Sequence, residues 1–317
     1  MTTIWQDGIY GLVVGDALGV PVEFTSREER RREPVAGMLA YGTHNQPAGT
    51  WSDDSSMALA TLDSIAEKNG IDYRDIMERF GRWCLYNDYT PFGEMFDIGN
   101  ATAHAIGKYG RGEEPLESGG KEDWDNGNGS LMRILPVCLW VYEQQKNGCM
   151  PEEECVTIVH NASALTHAHL RSQISCGLYF FLVKAVLEKE SNFIERLQSG
   201  IDAGFRYYRK NENNREELEH FRRLEDLFSF KEQNDDVIKS SGYVVDTLEA
   251  SIWSLITTNS YKTAVLKAVN LGDDTDTVGA VTGGLAGLYY GMDSIPKDWI
   301  KTIKTKEMID EILGKIL

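Results

Sequence analysis

The chain has 317 residues, 42% of them hydrophobic and spread throughout, enough to bury a sizeable core in one domain over residues 1–317. Its formal net charge of −17 argues against non-specific binding to nucleic acid or to an anionic membrane surface. Five cysteines without a CxxC pair give neither a disulfide framework nor a zinc site, so a reduced, cytoplasmic chain is expected.

The first residues, Met1 to Asp7, lack a basic region followed by an apolar stretch, so no signal peptide is expected. Helical spacing begins at Ile9, Leu12, Val13 and Ala17. Pro21 interrupts that run and puts Glu23 on the turn beyond it. Asp16 and Glu23 sit in apolar surroundings. Glu23 is either an exposed loop acid or a buried one that needs a metal or a hydrogen-bond partner. Residues 25–34 form a mixed charge run, expected as a solvated face. Helical runs follow at Met57, Ala60, Leu62 and Ile65, then at Ile76, Phe80, Trp83 and Cys84. Asp97 stands just ahead of a run over 99–108, where it either caps the helix or points into a cleft. The glycine-rich, acidic segment 109–127 is expected to be a loop.

Gly127-Asn128-Gly129-Ser130-Leu131-Met132-Arg133 is a glycine loop leading into a helix over 131–144. Free backbone N–H groups there suit an anion, although a plain helix-start turn explains the pattern as well. In Thr166-His167-Ala168-His169, helical geometry would turn the two imidazoles to different faces, which argues against joint metal ligation. Further runs cover 153–160, 168–188, 193–209, 215–229, 243–257, 261–270, 276–290 and 306–316. Strand-like alternation is rare, so an all-α protein of about a dozen helices is expected. The charged segment 209–236 reads as a solvated insertion. Gly279, Gly283 and Gly287 recur every four residues, and since glycine costs about 1 kcal/mol relative to alanine in a helix, another helix should cross close by. The apolar run 278–290 is too short to span a bilayer.

The strongest signal is a pair of acidic clusters, Ser52-Asp53-Asp54 and Asp273-Asp274-Thr275-Asp276-Thr277, each opening directly into an apolar helical run. Such residues cap helices and suit the positive end of the dipole. A cap needs one side chain, however, and here there are several, twice over. Crowded carboxylates repel one another and become stable together with divalent cations between them. Oxygen-only ligands suit Mg²⁺, Mn²⁺ or Ca²⁺ rather than zinc. No G-x-S-x-G, G-x-G-x-x-G or Gly-Lys-Ser/Thr motif occurs.

Taken in order, Gly15-Asp16-Ala17-Leu18-Gly19, Thr50-Trp51-Ser52-Asp53-Asp54-Ser55, Asp97-Ile98-Gly99-Asn100, Gly127 to Arg133, Leu165-Thr166-His167-Ala168 and Gly272 to Thr277 resemble the ADP-ribosylglycohydrolases. This is the family of the dinitrogenase reductase-activating glycohydrolase and the ADP-ribosyl-acceptor hydrolases. The resemblance runs from about residue 7 to 291, and the number and order of motifs make it specific. It implies an all-α fold with two Mg²⁺ or Mn²⁺ ions. Ser52, Asp53, Asp54 and Asp276 would hold one ion, and Asp274, Asp276 and Thr277 the other, with Asp276 bridging. The family usually has Thr where Ser52 stands and a second Gly where Asp273 stands.

The resemblance further implies catalytic positions at Glu23, Asp54 and Asp97, with Glu23 acting in catalysis or in gating the site. Asn128, Gly129, Ser130 and His167 would contact ADP-ribose. The expected reaction is hydrolysis of the bond between ADP-ribose and a protein side chain or small conjugate. A binding module without catalysis and a structural helical scaffold are the alternatives. A monomer is expected, with no nucleic acid or membrane partner.

Overall fold

Thr3 starts the first helix with a reciprocal cap: its hydroxyl accepts from the Gln6 N–H, while the Gln6 side chain accepts from the Thr3 N–H. From there the computed structural model, which describes residues 2–188 and 191–316, is helical almost throughout. The helices are α1 (Ile4–Gly19), α2 (Arg27–Arg32), α3 (Asp53–Lys68), α4 (Tyr73–Tyr86), α5 (Asn100–Gly110), α6 (Leu135–Lys146), α7 (Glu152–Ala164), α8 (Leu170–Leu187), α9 (Phe193–Tyr208), α10 (Arg215–Leu218), α11 (Leu227–Lys231), α12 (Val244–Ile256), α13 (Tyr261–Val269), α14 (Thr275–Tyr290), α15 (Lys297–Thr302) and α16 (Lys306–Ile316). Among the described residues, β pairing is limited to the isolated bridges Tyr41–Gln46, Gly120–His167 and Gly127–Tyr243. The all-α expectation holds, with more and shorter helices than the periodicity suggested.

α1 and α14 form the axis and are buried nearly all round. No side chain fits where they cross. A Cβ on Gly15 would lie 2.1 Å from the Gly279 carbonyl oxygen, one on Gly283 2.2 Å from that of Gly11, and one on Gly287 2.1 Å from that of Asp7. The glycine stripe on α14 therefore meets a second stripe on α1, formed by Gly11, Gly15 and Gly19. At Gly19 the approach sets up the site. A Cβ there would fall 2.3 Å from the Asp276 Cα, so the first turn of α14 rests on the last turn of α1. Thr275 Oγ1 donates to the Gly19 carbonyl at 2.8 Å.

Asp16 does the equivalent for α3. Its wholly buried carboxylate accepts from the Ser52 N–H and the Ser55 N–H, each at 3.0 Å, and from the Ser55 hydroxyl. α1 thus anchors the N-termini of both α3 and α14.

Three expectations need correction. The segment 209–236 is not a solvated insertion. Leu218, Phe221, Leu224, Leu227 and Phe230 are buried against α8, α9 and α12, with the charges outward. Nor is 215–229 one helix, because a 3₁₀ stretch (Glu219–Glu225) follows α10. Asp226 then leaves the helical region and starts α11 by accepting from the Phe228 and Ser229 N–H groups. α6 begins at Leu135 rather than 131, since Pro136 belongs in a first turn, where no N–H is needed.

Segment 109–127 is largely a loop, although Pro115, Ser118 and Gly119 are buried. α2 spans most of the charge run, and its Arg30 is buried. By length and composition α8 is apolar enough to cross a membrane. In the fold 72% of it is buried among other helices, which marks it as a core helix.

Candidate active site

The two acidic helix starts, far apart in sequence, meet in space. Thr277 Oγ1 donates to Asp54 Oδ2 at 3.3 Å, and Ser52 Oγ donates to the same oxygen at 3.2 Å. Asp274 Oδ2 accepts from the Asn128 amide at 2.8 Å, and Asp276 Oδ1 accepts from the Thr277 N–H at 2.9 Å.

Capping accounts for little of this. Ser52 caps α3 through the Asp54 N–H, whereas Asp274 stands at the N-cap of α14 and makes no side-chain cap bond. Asp54 Oδ1, Asp274 Oδ1 and Asp276 Oδ2 are buried with no hydrogen-bond partner. Burial, reinforced by the neighbouring acids, pushes the carboxyls of Asp53, Asp54 and Asp276 well above the usual range. Burial also raises Asp274. Acceptor-only oxygens left bare in such a place are unfavourable unless a cation satisfies them. The donors are the hydroxyls of Ser52 and Thr277 and four carboxylates, all hard oxygens. They therefore fit hard divalent cations.

A cleft of about 400 Å³ opens beside them. Asp53, Asp274 and Thr277 reach its wall, as do Glu23, Asp97, Gly127, Asn128, Gly129 and His167. Phe24 and Trp124, 66% and 82% exposed, stand at its rim. Cavities of about 790 Å³ exist elsewhere, but the orphaned acid oxygens belong to residues around this smaller one.

Glu23 follows the 3₁₀ turn Val20–Val22, which carries Pro21, and it is buried. Burial, then the charges of Asp97 and Asp274, push its carboxyl up to about 11. Asp97 is not a cap: Gly99 holds the N-cap place of α5, while Asp97 takes the left-handed conformation (φ 62°) and lines the cleft. Asp273 is also left-handed (φ 63°), a conformation that favours glycine, the residue the resemblance implies at this position. The residue is exposed and lines a separate outer cavity.

His44 escaped the sequence reading. Its Nε2 is hydrogen-bonded to Glu23 Oε2 and lies 4.0 Å from Asp97 Oδ1. Phe24 and Phe96 flank its ring at centroid distances of 6.0 and 5.1 Å. Its neighbour Thr43 donates to the Glu23 carbonyl at 2.6 Å. Ligand atoms of Glu23, His44, Asp97 and Asp276 all lie within 4.8 Å of one another. No periodic or motif signal marks a lone histidine in the 41–46 loop.

The remaining predicted residues divide. The Asn128 amide is engaged by Asp274 and by Thr247 Oγ1 at 2.8 Å, so it steadies a carboxylate. Gly129 lies at the wall. Ser130 does not: its hydroxyl is inside the core, bonded by Ser163 at 2.9 Å and 3.5 Å from Cys176 Sγ. His167 and His169 sit on a turn, not a helix. His169 caps α8, accepting from the Arg171 N–H at 3.2 Å, while His167 is buried at the cleft.

Fold and site together define an all-helical enzyme scaffold in which two acid-rich helix N-termini converge beside a cleft suited to hard cations. Residues 6–317 match the family model for ADP-ribosylglycohydrolase, and the chain belongs to that family. It is 30% identical to the ADP-ribosylarginine hydrolase Tri1 of Pseudomonas putida (strain GB-1), over 98% of this chain and 77% of that protein. It is 29% identical to the ADP-ribosyl-[dinitrogen reductase] glycohydrolase of Rhodospirillum rubrum, over 93% of this chain and 88% of that one. A solved ADP-ribosylglycohydrolase-related protein complex superposes with a TM-score of 0.77 at 29% identity, covering 99% of this chain and 96% of the other. The protein is therefore a hydrolase of the ADP-ribosylglycohydrolase type, as the motif order implied.

Proposed function

We propose that this enzyme hydrolyses the N- or O-glycosidic bond between ADP-ribose and an acceptor, using two Mg²⁺ or Mn²⁺ ions held between α3 and α14. The observation that carries the reading is the set of three buried, partnerless carboxylate oxygens on Asp54, Asp274 and Asp276. Ser52, Asp53, Asp54 and Asp276 would hold one ion, and Asp274, Asp276 and Thr277 the other. When bound, the ions supply positive charge that grips a sugar diol and acidifies a water.

The chain's own residues supply the rest. Glu23 and Asp97 share one wall of the cleft, where they can hold and return a proton as the anomeric bond breaks through an oxocarbenium-like state. His44 fixes the Glu23 carboxylate by its hydrogen bond. Asn128 keeps Asp274 in place by its amide hydrogen bond. The Gly127–Gly129 backbone offers a surface without side chains to an anionic diphosphate, which a chain of charge −17 would otherwise repel. The cleft volume lies within the range of about 300–1,000 Å³ usual for small-ligand sites.

Similarity to an ADP-ribosylarginine hydrolase favours an arginine acceptor. Five free thiols, three of them buried, suit a reducing, cytoplasmic setting. The test is release of free ADP-ribose from an ADP-ribosylated arginine peptide with Mg²⁺ or Mn²⁺, against a chelated control. No release from arginine, serine or small-molecule conjugates under any metal condition would overturn the proposal.

A further inference from the structure

His167 lies at the cleft wall with one ring edge against the glycine loop. A Cβ on Gly129 would fall 2.8 Å from its Cε1, and one on Gly127 3.3 Å from its Nε2. The other nitrogen, Nδ1, is 2.8 Å from the Thr166 hydroxyl. That hydroxyl is 2.7 Å from an Nη2 of Arg133, which also donates to the Ala162 carbonyl at 3.1 Å. Arg133 is fully buried, with no partner at Nε or Nη1 and no carboxylate bonded to it among the described residues. The turn is held rigidly. The His167 N–H donates to the Ser163 carbonyl at 2.8 Å, and Thr166 and Ala168 pair with Gly120 through their backbones.

The proton positions follow from what each group can do. A guanidinium only donates, so Thr166 Oγ1 accepts from Arg133. The Thr166 O–H is fully buried, and its one acceptor among the described residues is His167 Nδ1. A proton on Nδ1 would leave that O–H buried and unpaired, at a cost of roughly 1–3 kcal/mol. In the satisfied arrangement Thr166 donates to Nδ1, and the single ring proton is on Nε2. Burial, then the Arg133 charge, push the imidazole down to about 3, so the ring is neutral.

We propose that Arg133 and Thr166 are positioning residues that lock His167 in its Nε2–H form, presenting a neutral N–H donor to an acceptor oxygen of the bound ligand. The ligand's identity rests on the ADP-ribose reading above, but the locked form of the ring does not. Two other side chains assigned to the ligand by the resemblance offer no such donor. Asn128 is already engaged, and Ser130 faces the core. With the opposite tautomer, a lone pair would face the ligand's oxygen and repel it.

The experiment is a proton–nitrogen correlation spectrum of the histidine rings in wild type, Thr166→Val and Thr166→Ser, with His167 assigned by its loss in His167→Gln. Wild type and Thr166→Ser should show the neutral Nε2–H form, and Thr166→Val should populate the Nδ1–H form. ADP-ribose affinity in the presence of Mg²⁺ should weaken about tenfold in Thr166→Val, as loss of one aligned donor implies, and recover in Thr166→Ser. In turnover the loss should fall on KM more than on kcat. An Nδ1–H or doubly protonated His167 in the wild type would overturn the proposal, as would an unchanged ring in folded Thr166→Val. An Nε2–H ring in a protein that never binds ADP-ribose would uphold the lock and overturn the ligand reading instead. Should Thr166→Val fail to fold, the wild-type spectrum and the Thr166→Ser affinity decide the matter.

Discussion

Gly19→Ala tests how the fold builds the site. The added Cβ would sit 2.3 Å from both the Cα and the N of Asp276 and 2.5 Å from the Thr275 carbonyl carbon. Carbon atoms in contact prefer about 3.5–4.0 Å, so the first turn of α14 must retreat by more than 1 Å, roughly, from the end of α1. All the obstructing atoms are backbone, and no rotamer change relieves them. Overpacking of this kind costs about 1–3 kcal/mol, partly offset by the roughly 1 kcal/mol that alanine gains in a helix. A net loss of about 1 kcal/mol in a chain of 317 residues lowers the melting midpoint by about 1.5 °C. Activity should suffer far more, because Asp276 moves with that turn. A displacement of this size at a reacting centre costs about 100-fold in rate. Melting curves and ADP-ribose release would be measured beside Gly81→Ala, a helical glycine with nothing within 4 Å of its Cβ position, which should be neutral or slightly stabilising. Full activity and an unchanged midpoint in Gly19→Ala would refute the reasoning.

Other perturbations probe single contacts. His44→Ala should lower kcat about tenfold or more while ADP-ribose affinity by calorimetry stays near wild type, because the residue acts through Glu23 rather than on the ligand. Asp16→Asn weakens the three bonds that anchor the N-terminus of α3 and should lower stability by about 1–3 kcal/mol in denaturant titrations. The pH dependence of the chelated protein has a definite sign. Asp53, Asp54 and Asp276 are raised by burial, and Asp16 is raised to about 7, so the folded state keeps protons that the unfolded state has lost. Their contribution is present below the ordinary carboxyl pKa of about 4 and is lost as pH rises to 7 and beyond. The chelated midpoint should therefore fall between pH 5 and pH 8, roughly, and added Mn²⁺ should flatten the fall.

Much of the site was legible because its chemistry is excessive for structure alone. Two helix starts carried more acids than caps require, and the paired N-termini are where those acids converge. Pro21 placed Glu23 correctly, since a proline beyond the first turn of a helical run interrupts it. The glycines of α14 announced a close crossing, although the matching stripe on α1 went unread. What the sequence hid depends on distant partners. Asn128 reaches Asp274, and His44 reaches Glu23, through folded contacts that no local pattern encodes. In segment 209–236 the charges concealed apolar residues at 218, 221 and 224, spaced every three residues. That spacing matches the 3₁₀ stretch that holds Phe221 and Leu224 and follows directly on Leu218, rather than a 3.6-residue helix.

The most direct test is calorimetric titration of ADP-ribose into the Mg²⁺-loaded protein, into the chelated protein, and into folded Asp274→Ala and Asp276→Ala. Binding should occur in the first case, disappear with the chelator, and be lost or greatly weakened in both variants. Undiminished binding without metal, or in Asp276→Ala, would contradict a cation-built ADP-ribose site.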